Sequence, residues 1–194
     1  MFNGIIINTG KIVKIIKKEN DCILTIKSKM KFKKNEIGSS ISCSGTCLTL
    51  ERFNHSISQY YVSSETLKRT NFSKLKKDDI INLEKSIKFG DRISGHFIQG
   101  HIDTTGSIKK IKILGKSCLI DFKMSQKYKK LIVEKGSIAI NGVSLTVSRI
   151  LKNGFQIAVI PKTLELTNLL SLNKNDLVNI EFDLLGKYIK KLIK

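Results

Sequence analysis

The chain has 194 residues, of which 41% are hydrophobic, enough for one good core or two small ones. No apolar run approaches the roughly 18 residues that span a bilayer, and Met1 leads into Phe2-Asn3-Gly4 without a basic segment and apolar core, so a soluble, cytoplasmic protein with no membrane partner is expected. The formal charge of +19 is spread along the whole chain, from Lys14, Lys17 and Lys18 to Lys190 and Lys191, with little arginine and no aromatic-plus-basic motif, which reads as solvated surface and argues against a nucleic-acid site, a basic nucleic-acid-binding barrel staying as a third function class.

In chain order, short apolar segments rich in Ile, Val, Thr and Phe run from Gly4 to Val13, Cys22 to Ile26, Ser39 to Cys43, Cys47 to Phe53, Ser56 to Val62 and Ile80 to Leu83. Each is bounded by Gly, Asn, Asp or Lys. Alternation with a turn signal every ten residues or so predicts strands of an antiparallel sandwich or barrel, about six to a unit. A helical turn is expected from Thr66 to Phe72, and Gly90-Asp91-Arg92-Ile93-Ser94-Gly95 has the composition of a linker. Beyond it, Ser125 to Val133 and Thr163 to Leu170 predict further helical pieces, with Pro161 ending a strand and suiting a first helical turn. Leu184, Leu185, Tyr188, Ile189, Leu192 and Ile193 fall at helical spacing among lysines. Such an amphipathic helix either packs against copies of itself or docks on its own barrel. The four cysteines, Cys22, Cys43, Cys47 and Cys118, show no Cys-x-x-Cys spacing, and only His55 lies near Cys43 and Cys47, so reduced thiols and no metal site are expected.

The chain repeats itself. Ser44-Gly-Thr-Cys-Leu-Thr-Leu50 returns as Asn141-Gly-Val-Ser-Leu-Thr-Val147 at an offset of 97, Glu65 to Phe72 returns as Lys162 to Leu169, and Ile81-Asn82-Leu83-Glu84 returns as Val178-Asn179-Ile180-Glu181. Gly4 to Gly10 returns as Gly100 to Gly106 at an offset of 96. Two homologous units follow. The copies differ at polar positions: Cys47 against Ser144, Ile5 against His101, and Ser86 against Asp183. Unequal roles for the two halves are therefore expected.

Met1-Phe2-x-Gly4-Ile5-Ile6, Gly95-His96-Phe97-Ile98-Gln99-Gly100-His101-Ile102, the paired S-G-T-C-L-T and N-G-V-S-L-T, and I-P-K-T-L-E-L-T-N together resemble riboflavin synthase of the duplicated, lumazine-binding type, over essentially the whole chain and in order. The resemblance implies an all-β fold of two six-stranded Greek-key antiparallel β-barrels in tandem, over 1–95 and 96–183, and a C-terminal helix over 184–194 through which three subunits associate. It also implies a dismutation: one 6,7-dimethyl-8-ribityllumazine gives a four-carbon unit to another, yielding riboflavin and 5-amino-6-(ribitylamino)uracil without cofactor or metal. Each barrel would hold one lumazine, the N-terminal barrel of one subunit facing the C-terminal barrel of another.

Such chemistry needs a base for the 7-methyl proton and a nucleophile or water for C7. His101 is the candidate acid/base, since imidazole titrates near neutrality. Cys47 with Thr49, and Ser144 with Thr146, each lie two apart in a strand and so share one wall. Cys47, Ser144 and Thr146 are candidate catalytic or lining groups, and Asp183 is either a helix cap or an acid that orients Ser144 or His101. By motif, one lumazine contacts Gly4, Ile5 and Ile6, Lys135, Ser144, Leu145 and Thr146, and Ala158, Val159, Ile160, Pro161, Lys162 and Thr163. The other contacts Cys47, Leu48 and Thr49, Tyr61, Val62, Ser63, Ser64, Glu65 and Thr66, and Gly100, His101 and Ile102, with Ser40 and its counterpart Ser137 near the ribityl hydroxyls. Ser44 stands where the second repeat and the family have asparagine, which predicts an altered turn hydrogen bond, and Lys162 and Leu166 also depart from the family pattern. A non-catalytic lumazine- or flavin-binding relative is the alternative function.

Overall fold

The computed structural model describes residues 1–193. The first six strands, β1 (Asn8–Lys18), β2 (Asp21–Ser28), β3 (Ser40–Cys43), β4 (Thr46–Asn54), β5 (Ile57–Val62) and β6 (Ile80–Lys85), close into one antiparallel barrel. A second is closed by β7 (Thr104–Leu114), β8 (Ser117–Lys123), β9 (Ser137–Ile140), β10 (Val143–Leu151), β11 (Gly154–Val159) and β12 (Leu177–Phe182). Around the first barrel the order is β1-β2-β5-β4-β3-β6, and the second repeats it as β7-β8-β11-β10-β9-β12. Between sandwich and barrel, closure decides for barrel, and the register shows how it is reached. Extra residues interrupt the pairing between Ile12 and Lys14 and between Leu50 and Arg52, and at the equivalent places between Ile108 and Lys110 and between Val147 and Arg149. Bulges of this kind bend a strand and increase its twist, which lets a short sheet curl onto itself.

Alternate residues fill each interior. Ile12, Leu24, Ile26, Ile41, Leu50, Tyr60, Val62, Ile81 and Leu83 lie in the first core, and Ile108, Ile120, Phe122, Ile138, Phe155, Ile157, Val178 and Phe182 in the second. The two helical turns also match. Helix α1 (Ser64–Arg69) begins at Ser63, whose hydroxyl accepts from the Thr66 amide at 3.3 Å, and α2 (Pro161–Leu166) begins with Pro161 at its first position. Each runs into a 3₁₀ turn, Asn71–Lys74 and Asn168–Ser171; a further 3₁₀ turn occupies Gln126–Leu131, where a helical piece was expected. The last element is α3 (Leu184–Leu192). Among the described residues no helix is long and apolar enough to cross a membrane.

Two departures from the expected elements matter. The first strand begins at Asn8, not Gly4, because residues 2–7 leave the first barrel. Phe2 and Ile98 exchange backbone hydrogen bonds of 2.7 and 3.0 Å, and their side chains form a small apolar cluster with Ala139 and the half-buried Cys47. The second departure is that the outer faces of β6 and β12 are not solvated. Asn82 and Asn179, which strand alternation would point outward, are fully buried because the barrels dock there.

The docking surface has a pseudo-twofold axis. The turns Ser44-Gly45 and Asn141-Gly142 meet on it, each with two successive left-handed residues: φ is 43° and 83° in the first, 47° and 78° in the second. Only a hydrogen fits at either glycine, since a Cβ on Gly45 would stand 2.7 Å from the Gly142 amide nitrogen and one on Gly142 would stand 2.6 Å from that of Gly45. Asparagines lace the seam. The Asn82 side chain donates to the Asn141 carbonyl and the Asn168 side chain, both at 2.9 Å, and accepts from the Asn168 amide at 2.7 Å. Its equivalent Asn179 donates to the Ser44 carbonyl at 2.9 Å and accepts from the Asn71 amide at 2.8 Å.

The expected change at Ser44 takes a specific form. Asn141 Oδ1 accepts from the Asn179 amide at 2.9 Å, and Ser44 Oγ does the same for the Asn82 amide at 3.2 Å, so the acceptor survives. The donor does not. Asn141 Nδ2 reaches the Asn168 side chain at 3.4 Å, whereas serine has no amide to offer, and Asn71 Oδ1 is buried without a partner among the described residues.

Candidate active site

Strand alternation puts Leu48 and Leu50 in the first core and turns Cys47 and Thr49 outward. Facing Cys47 is the segment that enters the second barrel: the Cys47 amide donates to the Gly100 carbonyl at 2.8 Å, and a Cβ on Gly100 would lie 2.6 Å from that of Cys47. Helix α1 closes the third side. The result is a cavity of about 420 Å³ on the outer wall of the first barrel, lined by Cys47, Glu65, Thr66, Arg69, Gly100, His101, Ile102, Asp103, Tyr128 and Lys187 among others. Six of the expected contact residues meet here. Of the remaining ones, Leu48 and Val62 point into the core. Ser63 caps α1, while the Ser64 amide donates to Asp21 at 2.6 Å and the exposed Tyr61 hydroxyl bonds the same carboxylate. Ser40 pairs with Thr49 across β3 and β4 outside this cavity.

The second barrel builds the same device around Ser144. Its amide donates to the Gly4 carbonyl at 2.9 Å, so Gly4, Ile5 and Ile6 lie against β10 as Gly100 to Ile102 lie against β4. Ala158 and Ile160 are exposed beside them, Val159 is in the core, and α2 supplies Pro161, Lys162 and Thr163, with Lys162 paired to Glu165 at 2.8 Å. Thr146 is exposed two residues from Ser144 and Leu145 packs on the core. Ser137 pairs with Thr146 as Ser40 pairs with Thr49. Lys135, in the left-handed turn before β9, donates its amide to the Val147 carbonyl at 2.8 Å.

Here the copies part. His96 Nδ1 lies 2.7 Å from Ser144 Oγ, and Gly95 sits so close that a Cβ there would be 2.8 Å from the serine Cβ. Burial pushes the His96 imidazole below its usual range, with the Asp183 carboxylate opposing the shift. Burial thus favours the neutral ring, and in the tautomer protonated at Nε2 its Nδ1 accepts from the Ser144 hydroxyl, while Nε2 is buried without a partner among the described residues. Asp183 caps α3, its carboxylate accepting from the Leu185 amide at 3.0 Å, and it acts electrostatically on His96, whereas the expectation was of an acid that orients Ser144 or His101. His96 was missed as a site residue although it lies within the Gly95 to Ile102 motif, because its sequence neighbour His101 drew the assignment. His101 is exposed on the first cavity.

Glu84 and Glu181 were also missed. Each is the last residue of the Asn-x-Glu motif that recurs in both repeats, and a repeated carboxylate 7% and 2% exposed is the signal that points to them. Burial pushes the Glu84 carboxyl up to about 7 and raises that of Glu181 as well, against the backbone amides each accepts.

The lumazine-binding domain model matches twice, over residues 3–86 and 99–183, so each match coincides with one barrel. The chain belongs to the riboflavin synthase family. Riboflavin synthase of Actinobacillus pleuropneumoniae is 39% identical over 193 residues, covering 100% of this chain and 90% of the relative, and that of Bacillus subtilis is 35% identical with the same coverage. Among solved structures, LumP complexed with riboflavin superposes with a TM-score of 0.83 at 26% identity, covering 94% of this chain and 99% of the other. LumP complexed with 6,7-dimethyl-8-(1'-D-ribityl) lumazine superposes with a TM-score of 0.81 at 24% identity, over 93% and 98%, which bears on the fold.

Proposed function

We propose that the chain is a riboflavin synthase that dismutates two molecules of 6,7-dimethyl-8-ribityllumazine, moving four carbons from one to the other to give riboflavin and 5-amino-6-(ribitylamino)uracil. What supports this above all is that one chain builds the same wall twice, a crossing segment pinned to an outward-facing strand, with Cys47 and His101 at one, beside a cavity of about 420 Å³, and Ser144, His96 and Asp183 at the other. A reaction between two copies of one compound needs similar pockets that treat their occupants oppositely. Aligning the two reactants lowers the barrier by several kcal/mol, up to roughly 7–11 in the best intramolecular cases. The chemical groups then do the rest. Neutral His96 takes the Ser144 proton so that the hydroxyl, or a water beside it, adds to the electron-poor C7, and His101 moves protons at the facing lumazine. Backbone amides and hydroxyls of Thr49, Thr66, Thr146 and Thr163 read the polar edge of the rings, and Lys135, Ser40 and Ser137 meet the ribityl chains.

In this reading residues 1–95 and 96–183 are the two lumazine-binding units, and 184–194 joins three subunits in the cytoplasm so that the first pocket of one faces the second pocket of the next. Exposed apolar side chains favour that arrangement. Leu185, Tyr188, Ile189 and Leu192 on α3 are 67%, 60%, 55% and 81% exposed, and Ile5 and Ile160 rim the second pocket at 42% and 60%. The test is incubation of the purified chain with dimethylribityllumazine. One riboflavin formed for every two lumazines consumed is expected; tight binding without riboflavin would instead favour a non-catalytic lumazine binder.

A further inference from the structure

The two buried glutamates bond to segments that reach the opposite barrel. Glu84, on β6 of the first barrel, accepts from the amides of Asn3 at 2.9 Å and Gly4 at 3.0 Å. The carbonyl of that same Gly4 receives the amide of Ser144, on the second barrel. Glu181, on β12 of the second barrel, accepts from Gln99 at 2.7 Å, Gly100 at 2.9 Å and His101 at 3.1 Å, and the carbonyl of Gly100 receives the amide of Cys47, on the first barrel. The arrangement is the same under the pseudo-twofold axis. Each carboxylate grips consecutive amides of a crossing segment, and the next carbonyl of that segment is pinned to the reactive strand of the opposite barrel.

We propose that Glu84 and Glu181 are positioning residues wired crosswise, Glu84 of the first barrel setting the pocket built on Ser144 and Glu181 of the second setting the pocket built on Cys47. Chemistry explains the residue type. Two carboxylate oxygens satisfy two or three successive N–H groups, which a single amide oxygen cannot do, and the negative charge strengthens each bond. Glutamine in the same place turns an NH₂ group toward one of those amides. Aspartate is one methylene too short to reach. The crossing segments carry Gly4 to Ile6 and Gly100 to Ile102, the walls of the proposed lumazine sites, so the inference rests on that reading.

Cys47 is half-buried in its cavity while Cys22, Cys43 and Cys118 are buried, so alkylation of Cys47 by iodoacetamide, followed by mass spectrometry, reports access to the first pocket alone. The experiment measures how much dimethylribityllumazine protects Cys47 in the full-length protein, alongside riboflavin formation, for wild type, Glu84→Gln and Glu181→Gln. The crosswise arrangement predicts that Glu181→Gln raises the lumazine concentration for half-protection about tenfold, the cost of one charged hydrogen bond. Glu84→Gln leaves protection of Cys47 unchanged while lowering riboflavin formation. Glu84→Asp and Glu181→Asp, which keep the charge, give the same split and guard against misfolding, with melting temperatures recorded for all four variants. Protection weakened by Glu84→Gln, or weakened equally or not at all by both, overturns the proposal. Failure of lumazine to protect Cys47 in wild type overturns the lumazine reading and the proposal with it.

Discussion

Replacing Ser44 with asparagine should stabilise the protein, and the structure supplies the arithmetic. Ser44 is 3% exposed, sits at φ 43°, and leaves Asn71 Oδ1 buried without a donor among the described residues, whereas its counterpart Asn141 fills the same place in the second repeat and reaches Asn168. Ser44→Asn keeps the acceptor that the Asn82 amide uses and adds a donor for Asn71. One net hydrogen bond contributes about 1 kcal/mol. Asparagine also tolerates the left-handed region better than serine, a gain of roughly half a kcal/mol at the first position of a tight hairpin turn. The sum, about 1–2 kcal/mol, corresponds to a rise in Tm of roughly 2–8 °C for a chain of this size. Urea denaturation and calorimetry measure it. The reciprocal change, Asn141→Ser, removes a donor whose acceptor, Asn168 Oδ1, keeps the Asn82 side-chain amide, and should cost less than the first change gains. A stabilising Ser44→Asn beside a smaller cost for Asn141→Ser supports the reasoning; a neutral or destabilising Ser44→Asn refutes it.

Further outcomes follow from the titrating groups and from α3. Asp183→Asn keeps the helix cap but removes the charge that holds the His96 imidazole up, so the acid limb of the pH profile for riboflavin formation should move to lower pH; an unmoved limb argues against His96 as the base. The Glu84 carboxyl is raised from 4.5 to about 7, so the folded state binds the extra proton and stability is lost as pH rises through that interval. Relative to Glu84→Gln, which cannot titrate, wild type should therefore lose on the order of 3 kcal/mol between those limits, read from denaturation midpoints at several pH values. Tyr188→Lys with Leu192→Lys should leave the barrels folded by circular dichroism but reduce the sedimentation coefficient to that of a single chain, with loss of riboflavin formation. A trimer that persists would show that α3 is not the joint.

Most of the fold was legible because its causes are local. Alternation of Ile, Val and Leu with polar residues marks β2 to β6 within a residue or two, and left-handed Ser44-Gly45 and Asn141-Gly142 are turn chemistry read from adjacent residues. The duplication adds that whatever one half does, the other does in the same register. Cys47, Thr66, His101 and Ser144 stood out as candidates through their motifs, and the first cavity gathers the first three of them.

What strand periodicity misreads is the face that a second barrel covers. Asn82 and Asn179 occupy positions that alternation turns to water, and they are fully buried because the outer surface of one barrel is the docking surface of the other. Residue spacing likewise carries no sign that Gly4 would meet Ser144, that His96 would turn onto that serine, or that Glu84 would grip a segment 80 residues away. The residues by themselves determined two barrels and the kinds of groups available for chemistry. Which groups face one another was decided only when the halves docked, because a hydrogen bond between distant residues depends on where two rigid bodies come to rest.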